Sequence, residues 1–417
     1  MKIWLINHYA VPPQYYPLPR PSMFAKKLIE MGHEVTIIAA STVHNSDENL
    51  ITDGAPVKKE SVEGVPYVYI RCSAYRGNGI GRVRNILEFA ARLPGVCDTL
   101  ERPDAVVATS FDPISCFQGI RYAKKRGIRA IAEIADLWPE TLLSLADIGE
   151  RHPVVLALRA LEKKIYRKAD AIVFTMEGAY DYIRERGWER EVPAEKVFLI
   201  NNGVDLAQFD HNRETWQIDD PDLNDPDLFK VVYTGSIRKV NNLGLVLDAA
   251  VLTKDPRVRF LIWGRGDELE SLQKRVDSEG IENVRFKGTV EKKYIPYITS
   301  RADLNLMHGA ADSILRFGLS ANKLFDYLAA GKPILSAFSC PYNPACMYRA
   351  GEQTEDQSPA AIAAAVDAFA AMSAEERMRY GENARRAAEK YDFTVLTKKL
   401  LRVLEGDRSD NTREITP

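Results

Sequence analysis

Arg316-Phe317-Gly318-Leu319-Ser320-Ala321-Asn322-Lys323-Leu324-Phe325-Asp326-Tyr327-Leu328-Ala329-Ala330-Gly331-Lys332-Pro333 reads as a glycine loop, a short helix and the opening of a strand. Ser320 carries a hydroxyl suited to capping a helix start, Gly331 suits the helix end, and Pro333 cannot continue the helix. Asp326 follows Asn322 by four positions, one turn along the same face. A helix N-terminus offers amide N–H groups to an anion. Lys323 adds a cation or, more plainly, points into solvent, and Asp326 accepts from a sugar hydroxyl. A loop, helix and strand in this order predict an α/β unit with an anion site at the helix start.

Outward from this stretch the same alternation recurs. Apolar runs at Ile3-Ile6, Glu34-Ala39, Tyr67-Ile70, Ala105-Ala108, Ala130-Ile134, Ala171-Phe174 and Val197-Ile200 read as strands. Helical patterns between them include Pro21-Met31, Arg82-Leu93, Pro113-Arg126 and Val154-Arg167, which argues for parallel βαβ units. The segment Asp210-Asp227 is polar, with Asp-Pro at 220-221 and again at 225-226, and reads as a linker. The alternation then restarts with strands at Lys230-Tyr233, Arg259-Trp263, Val284-Phe286, Leu304-Met307 and Pro333-Ser336. Helical patterns of this half fall at Leu243-Thr253, Asp267-Ser278, Asn322-Ala330 and Ala360-Met372. The expectation is two Rossmann-like parallel-sheet domains facing across a cleft: residues 1-210, a linker at 211-228, residues 229-390, and a C-terminal helix with a polar, frayed tail over 391-417. Ligands of such sheets sit beyond the carboxyl ends of the strands.

Composition narrows the class. The 417 residues are 46% hydrophobic and 27% charged, enough for two cores and too polar for a polytopic membrane protein. A net charge of -2 gives no global attraction to nucleic acid. Five scattered cysteines without a Cys-x-x-Cys pair fit a reducing compartment, with neither a disulfide framework nor a zinc site. Met1-Ala10 lacks the form of a signal peptide, and no apolar run is long enough to span a bilayer. The chain is therefore expected to be cytoplasmic or peripheral to a membrane.

Further loops carry chemistry. The first strand of the second half ends Thr234-Gly235-Ser236, followed by Ile237-Arg238-Lys239 and a helix from about Asn242. A glycine turn between strand and helix exposes amides that suit phosphate. Arg238 and Lys239 are candidates to neutralise a diphosphate, against the plainer reading of two solvated cations. In the first half, Asp136 follows a strand end and is a candidate contact to a sugar, or else the turn residue of Asp136-Leu137-Trp138-Pro139. His8 and Arg20 follow the first strand; His8 reads more simply as structural. Asp220-Pro221-Asp222 has the Asp-x-Asp form of some metal sites, but its polar setting favours a turn.

These pieces together resemble the family-4 retaining glycosyltransferases, most nearly the branch that builds bacterial surface polysaccharides, such as N-acetylfucosamine-type transferases. Asn322-Lys323-Leu324-Phe325-Asp326-Tyr327 and the Ala-x-Gly-x-Pro ending carry the resemblance, with Asp326 where that family has its ribose-binding glutamate. Gly32-His33-Glu34-Val35, Asn202-Gly203-Val204-Asp205, Trp263-Gly264-Arg265-Gly266, Phe286-Lys287-Gly288 and Ala302-Asp303 match in order, over roughly residues 1 to 400. The resemblance implies the GT-B fold, with an acceptor-side N-terminal domain and a nucleotide-sugar-binding C-terminal domain. It also implies transfer with retention, no metal and no cofactor beyond a nucleotide-sugar substrate, expected to be UDP-linked. The acceptor is expected to be a glycan or a polyprenyl-diphosphate-linked sugar.

In this reading Asp136, Arg238, Lys239 and Lys323 are the catalytic candidates, while Gly235, Ser236, Gly318, Ser320, Asn322 and Asp326 bind the donor. The sequence departs from the family pattern at several points. Gly318 stands where the family has the glutamate that contacts the transferred sugar. Ser236 and Asn241 stand where it has a phosphate-binding arginine and lysine, so Arg238 or Lys239 is expected to take over the charge. Pro17-Leu18-Pro19-Arg20 replaces an N-terminal Gly-Gly loop, and Ala135 replaces a histidine.

Val83, Ile86, Leu87, Ala90 and Leu93 recur at helical spacing beside Arg82, Arg84 and Arg92, and five arginines face one acid between Arg71 and Arg92. This is either a basic amphipathic helix for anionic lipid or an outer helix packed on the first sheet. Rival readings are a nucleotide-sugar epimerase of the same architecture and a binding-only relative, the latter suggested by Gly318. A nicotinamide oxidoreductase would need Gly-x-Gly-x-x-Gly after the first strand, and Asn7-His8-Tyr9-Ala10-Val11-Pro12 is not one.

Overall fold

A computed structural model describes residues 1–407 apart from 16–18, 45, 78, 146–147 and 310–312. Pro17 and Leu18 of the expected N-terminal loop, and the polar tail 408–417, lie outside the described residues. The chain divides into two compact units, Met1–Asn201 with Leu396 onward, and Asn202–Val395.

The first unit is built on an eight-stranded sheet. Its strands are β1 (Lys2–Ile6), β2 (Glu34–Ala40), β3 (Val57–Val62), β4 (Val65–Ile70), β5 (Ala105–Thr109), β6 (Arg129–Ile134), β7 (Ala171–Phe174) and β8 (Val197–Leu199), in the order β3-β4-β2-β1-β5-β6-β7-β8. Every pairing is parallel except β3 with β4. The central strands read as unbroken apolar runs because helices cover both faces. The edge strand β3, Val57-Lys58-Lys59-Glu60-Ser61-Val62, is half charged and was not legible as a strand. Its hairpin is set by Glu63 and Gly64, both at positive φ, as a two-residue turn of this kind requires.

The second unit carries β9 (Phe229–Thr234), β10 (Val258–Trp263), β11 (Val284–Gly288), β12 (Leu304–Met307), β13 (Ile334–Ser336) and β14 (Gly351–Gln353). They are all parallel and ordered β11-β10-β9-β12-β13-β14. Both units are thus Rossmann-like, as expected.

Three boundaries differ from expectation. The first unit ends at Asn201 rather than 210. The expected linker 211–228 is largely ordered: helices Leu206–Thr215 and Pro221–Asn224 bury Phe209 and Leu223 in cores of the second unit. Asp220 accepts a capping bond from the Leu223 amide, and the Lys287 ammonium bonds both Asp220 and Asp222. That Asp-x-Asp is therefore a capped turn neutralised by a lysine. Finally, the helix Phe393–Glu405 belongs to the first unit from Leu396. Its Leu396, Leu400, Val403 and Leu404 are buried, and Arg129 donates to the Val403 carbonyl. Polarity misled at 211–228 because a single buried side chain within it, Leu223, with Phe209 just before it, suffices to dock short capped helices.

Candidate functional site

In the second sheet the order of strand addition reverses between β9 and β12, so the loops after these two strands part and leave a crevice at the carboxyl edge. Three segments line it: Gly235-Ser236 after β9, His308-Gly309 after β12, and the helix Asn322–Ala329. Tyr327 pins that helix to the strand end, its hydroxyl accepting from the Thr234 amide at 2.8 Å. The loops after β9, β10 and β11 are tied together by Gly235 N–H to Trp263 O, Ile237 N–H to Arg265 O and Gly264 N–H to Gly288 O. A Cβ at Gly264 would overlap the Gly235 carbonyl, so only glycine allows this approach. These bonds use up the Gly235 and Ile237 amides, and of the three successive amides only that of Ser236 has no partner among the described residues.

Lys323, half-buried in the first turn of the helix, reaches back to this glycine turn. Its ammonium donates to the Tyr233 hydroxyl at 2.8 Å and lies 4.0 Å from the ring centroid. Tyr233 in turn donates to the Ser236 carbonyl at 2.9 Å. A Cβ on Gly235, whose φ is +148°, would come within 2.7 Å of the Lys323 nitrogen. No carboxylate pairs with Lys323 among the described residues, and burial pulls its amine down to about 7. A desolvated cation without a counter-ion is a receptor for an anion. Asp326, one turn along, is half-buried, and no side-chain partner is found for it among the described residues. Burial raises its carboxyl above the ordinary value, against the opposing charge of Lys292.

The other expected residues fall as follows. Ser236 and Asn241, which stand at the family's cationic positions, bond each other, Asn241 Nδ2 donating to the Ser236 carbonyl and hydroxyl. Arg238 and Lys239 are exposed, and the helix expected from Asn242 begins at Gly244 after a left-handed Asn242. Ser320 does not cap the helix Asn322–Ala329: Ala321 is the cap residue, without a side-chain bond, and Ser320 instead holds the Asn202 amide and side chain. Gly318 is buried at φ +121°. Gly331 closes the helix at φ +63° as expected. Tyr233, Tyr327, Asn241 and His308 were missed. For His308 a signal existed, since it directly follows an apolar strand at the edge where ligands bind.

In the first unit Asp136 follows β6 and is half-buried. Burial pushes its carboxyl up to about 6, with Arg82 opposing. His8 and Asp112 are both buried, 3.6 Å apart, and burial drives the imidazole down to about 3. Arg20 does not face outward. It is buried, paired with Glu133 at 2.8 Å, and donates to the carbonyls of Ile200 and Asn201, which ties the first helix to the chain's exit from the sheet. The helix Ile80–Cys97 divides its apolar residues: Ile86, Phe89, Ala90 and Leu93 pack inward, while Ile80, Val83 and Leu87 are 88%, 51% and 50% exposed.

Residues 19–203 match the glycosyl transferase 4-like domain, and residues 214–387 match the glycosyl transferases group 1 family. The chain is 26% identical over 324 residues to WcaI of Escherichia coli K12, a glycosyl transferase assigned to colanic acid biosynthesis, covering 73% of this chain and 75% of that one. It is 23% identical over 287 residues to TuaH of Bacillus subtilis 168, assigned to teichuronic acid biosynthesis, covering 66% of each. Among solved structures, Anabaena HepE in complex with UDP superposes with a TM-score of 0.67 at 13% identity, over 97% of this chain and 100% of that one.

Proposed function

Because the chain belongs to the GT-B glycosyltransferases, a glycosyl transferase 4-like domain followed by a group 1 domain, we propose that it moves a sugar from a UDP-linked donor to a polyprenyl-diphosphate-linked or glycan acceptor in envelope polysaccharide synthesis. The transferred sugar is a hexose or an N-acetylated or deoxy amino sugar, as in the N-acetylfucosamine-type branch, and its anomeric configuration is retained. One observation carries the reading: Lys323, desolvated and without a carboxylate partner among the described residues, stands at the glycine turn of the second sheet's switch point. Asp326 lies one turn behind it. A diphosphate supplies the anion for the first residue, and a ribose supplies hydroxyls for the second. The UDP of HepE and the polysaccharide roles of WcaI and TuaH support the donor and pathway class.

In the proposed reaction the bond from the anomeric carbon to the diphosphate oxygen breaks first. Charge grows on the departing oxygen, and Lys323 with the Ser236 amide stabilises it there. Arg238 and Lys239, exposed on the same loop, add longer-range positive potential. The acceptor hydroxyl attacks the oxocarbenium-like carbon on the face the diphosphate leaves, and its proton passes to the diphosphate. Asn322 and Ser320 shape the helix start, Gly318 leaves room beside it, and Asp136 contacts a sugar from the first unit.

The exposed ridge Ile80, Val83 and Leu87, flanked by Arg84 and Arg92 at 71% and 47% side-chain exposure, supports peripheral contact with an anionic membrane. Among the described residues no helix is long and apolar enough to cross one. Incubation with UDP-, GDP- and dTDP-sugars and a polyprenyl-diphosphate-linked acceptor tests the function. UDP release that requires the acceptor is expected. Epimerisation without acceptor replaces the reading with an epimerase, and binding without turnover with a binding-only protein.

A further inference from the structure

His308 is the first residue after β12 and sits in the same crevice as Lys323. The residue is 3% exposed. Its Nδ1 lies 2.7 Å from the Asn241 carbonyl, an acceptor only, so Nδ1 carries the proton and donates. Nε2 is then a bare lone pair. It is buried and has no hydrogen-bond partner among the described residues. Burial holds the imidazole below its ordinary pKa and the charge of Lys323 adds to that, against the Asn241 bond. Nε2 therefore stays an acceptor within the electrostatic reach of Lys323.

A buried acceptor left without a donor is costly, and binding sites complete such groups with ligand. Resting on the donor site proposed above, we propose that His308 determines donor specificity: its Nε2 accepts from a hydroxyl or amide N–H that the sugar carries close to the diphosphate held by Lys323. The donors of a nucleoside diphosphate alone lie on its ribose and base, which the donor site above places toward Asp326, and its phosphate oxygens are largely unprotonated near neutral pH, so next to the diphosphate only the sugar offers one. The residue thus separates a nucleotide sugar from its own leaving group. The sugars it favours bear a free hydroxyl or acetamido group beside the anomeric centre.

Two substitutions separate this role from simple support of the Asn241 turn. His308→Asn keeps a donor at the Nδ1 position and removes the acceptor at Nε2. His308→Gln places an amide oxygen near Nε2. Calorimetric titration at pH 7 with UDP, UDP-glucose and UDP-N-acetylglucosamine reads the outcome. For whichever sugar the wild type binds, His308→Asn is expected to weaken binding tenfold or more while UDP affinity stays within about twofold. His308→Gln recovers part of the loss, and Asn241→Ala weakens UDP and UDP-sugar alike. Equal losses for UDP and UDP-sugar in His308→Asn, or no loss in either, overturn the proposal while leaving the donor site standing. A wild-type protein that binds neither UDP nor its sugars overturns the donor site itself.

Discussion

At the scale of single residues, the cation that matters is the one whose surroundings cannot neutralise it. Arg238 and Lys239 looked as good as Lys323 in sequence, because all three follow a glycine loop near a helix start. Only packing separates them: Lys323 is enclosed against Tyr233 and Gly235, while the other two are solvated. Lys323→Met is expected to weaken UDP binding by about 1.5–3 kcal/mol, the range for a charged hydrogen bond, or roughly 10–150-fold. Arg238→Gln and Lys239→Gln should each cost less than that. The pH profile gives a second check. Burial holds the Lys323 amine down at about 7, and an anion raises its pKa, so binding takes up a proton above that pH. Calorimetry should find UDP affinity falling by up to about tenfold per pH unit above pH 7. Lys323→Arg should flatten that fall, because a guanidinium stays charged throughout.

At the scale of elements, the site depends on loops that touch backbone to backbone. The turns after β9 and β10 pack so closely that a side chain at Gly264 has no room. Gly264→Ala must push the Gly235 carbonyl aside, which is expected to cost about 1–3 kcal/mol of stability as overpacking does. It should also weaken UDP binding, since a Cβ-sized shift of the Gly235 turn runs into Lys323. Thermal melting and titration of one sample check both. The helix Ile80–Cys97 makes the converse point. Its apolar stripe was legible, but whether each position faced the sheet or the outside was not, because a 3.6-residue period marks a face without saying what covers it. Ile80→Glu with Val83→Glu is expected to abolish flotation with phosphatidylglycerol vesicles and leave UDP binding unchanged.

At the scale of the whole molecule, the first unit is discontinuous. The chain leaves it at Asn201 and returns at Leu396, and the two crossings run side by side: Val204 N–H donates to the Tyr391 carbonyl, and Phe393 N–H to the Val204 carbonyl. The returning helix buries Leu396, Leu400, Val403 and Leu404. At about 1.5–3 kcal/mol for each buried aliphatic side chain, their loss amounts to about 6–12 kcal/mol, comparable with the whole stability of a domain. A chain ending at Val395 is therefore expected to melt its first unit far below the wild-type temperature. UDP binding should survive, since every donor-site residue belongs to the second unit. Calorimetric scanning with and without UDP distinguishes the two transitions.

Local sequence places the two α/β sheets, twelve of their strands to within a residue or two, the glycine turns and the helix bearing Lys323 and Asp326, while the charged edge strand β3 and the short β14 were not legible. Those features follow from local apolar periods, glycine and proline, which act within a few residues of themselves. Long-range packing alone settles that the polar segment 211–228 docks within the second unit, that Arg20 is buried against Glu133, that Ser320 holds Asn202 rather than a helix start, and that His308 Nε2 has no partner among the described residues. Each of those outcomes depends on a partner far away along the chain. Whether a polar side chain ends solvated, paired or waiting for a ligand is fixed by what the fold brings against it.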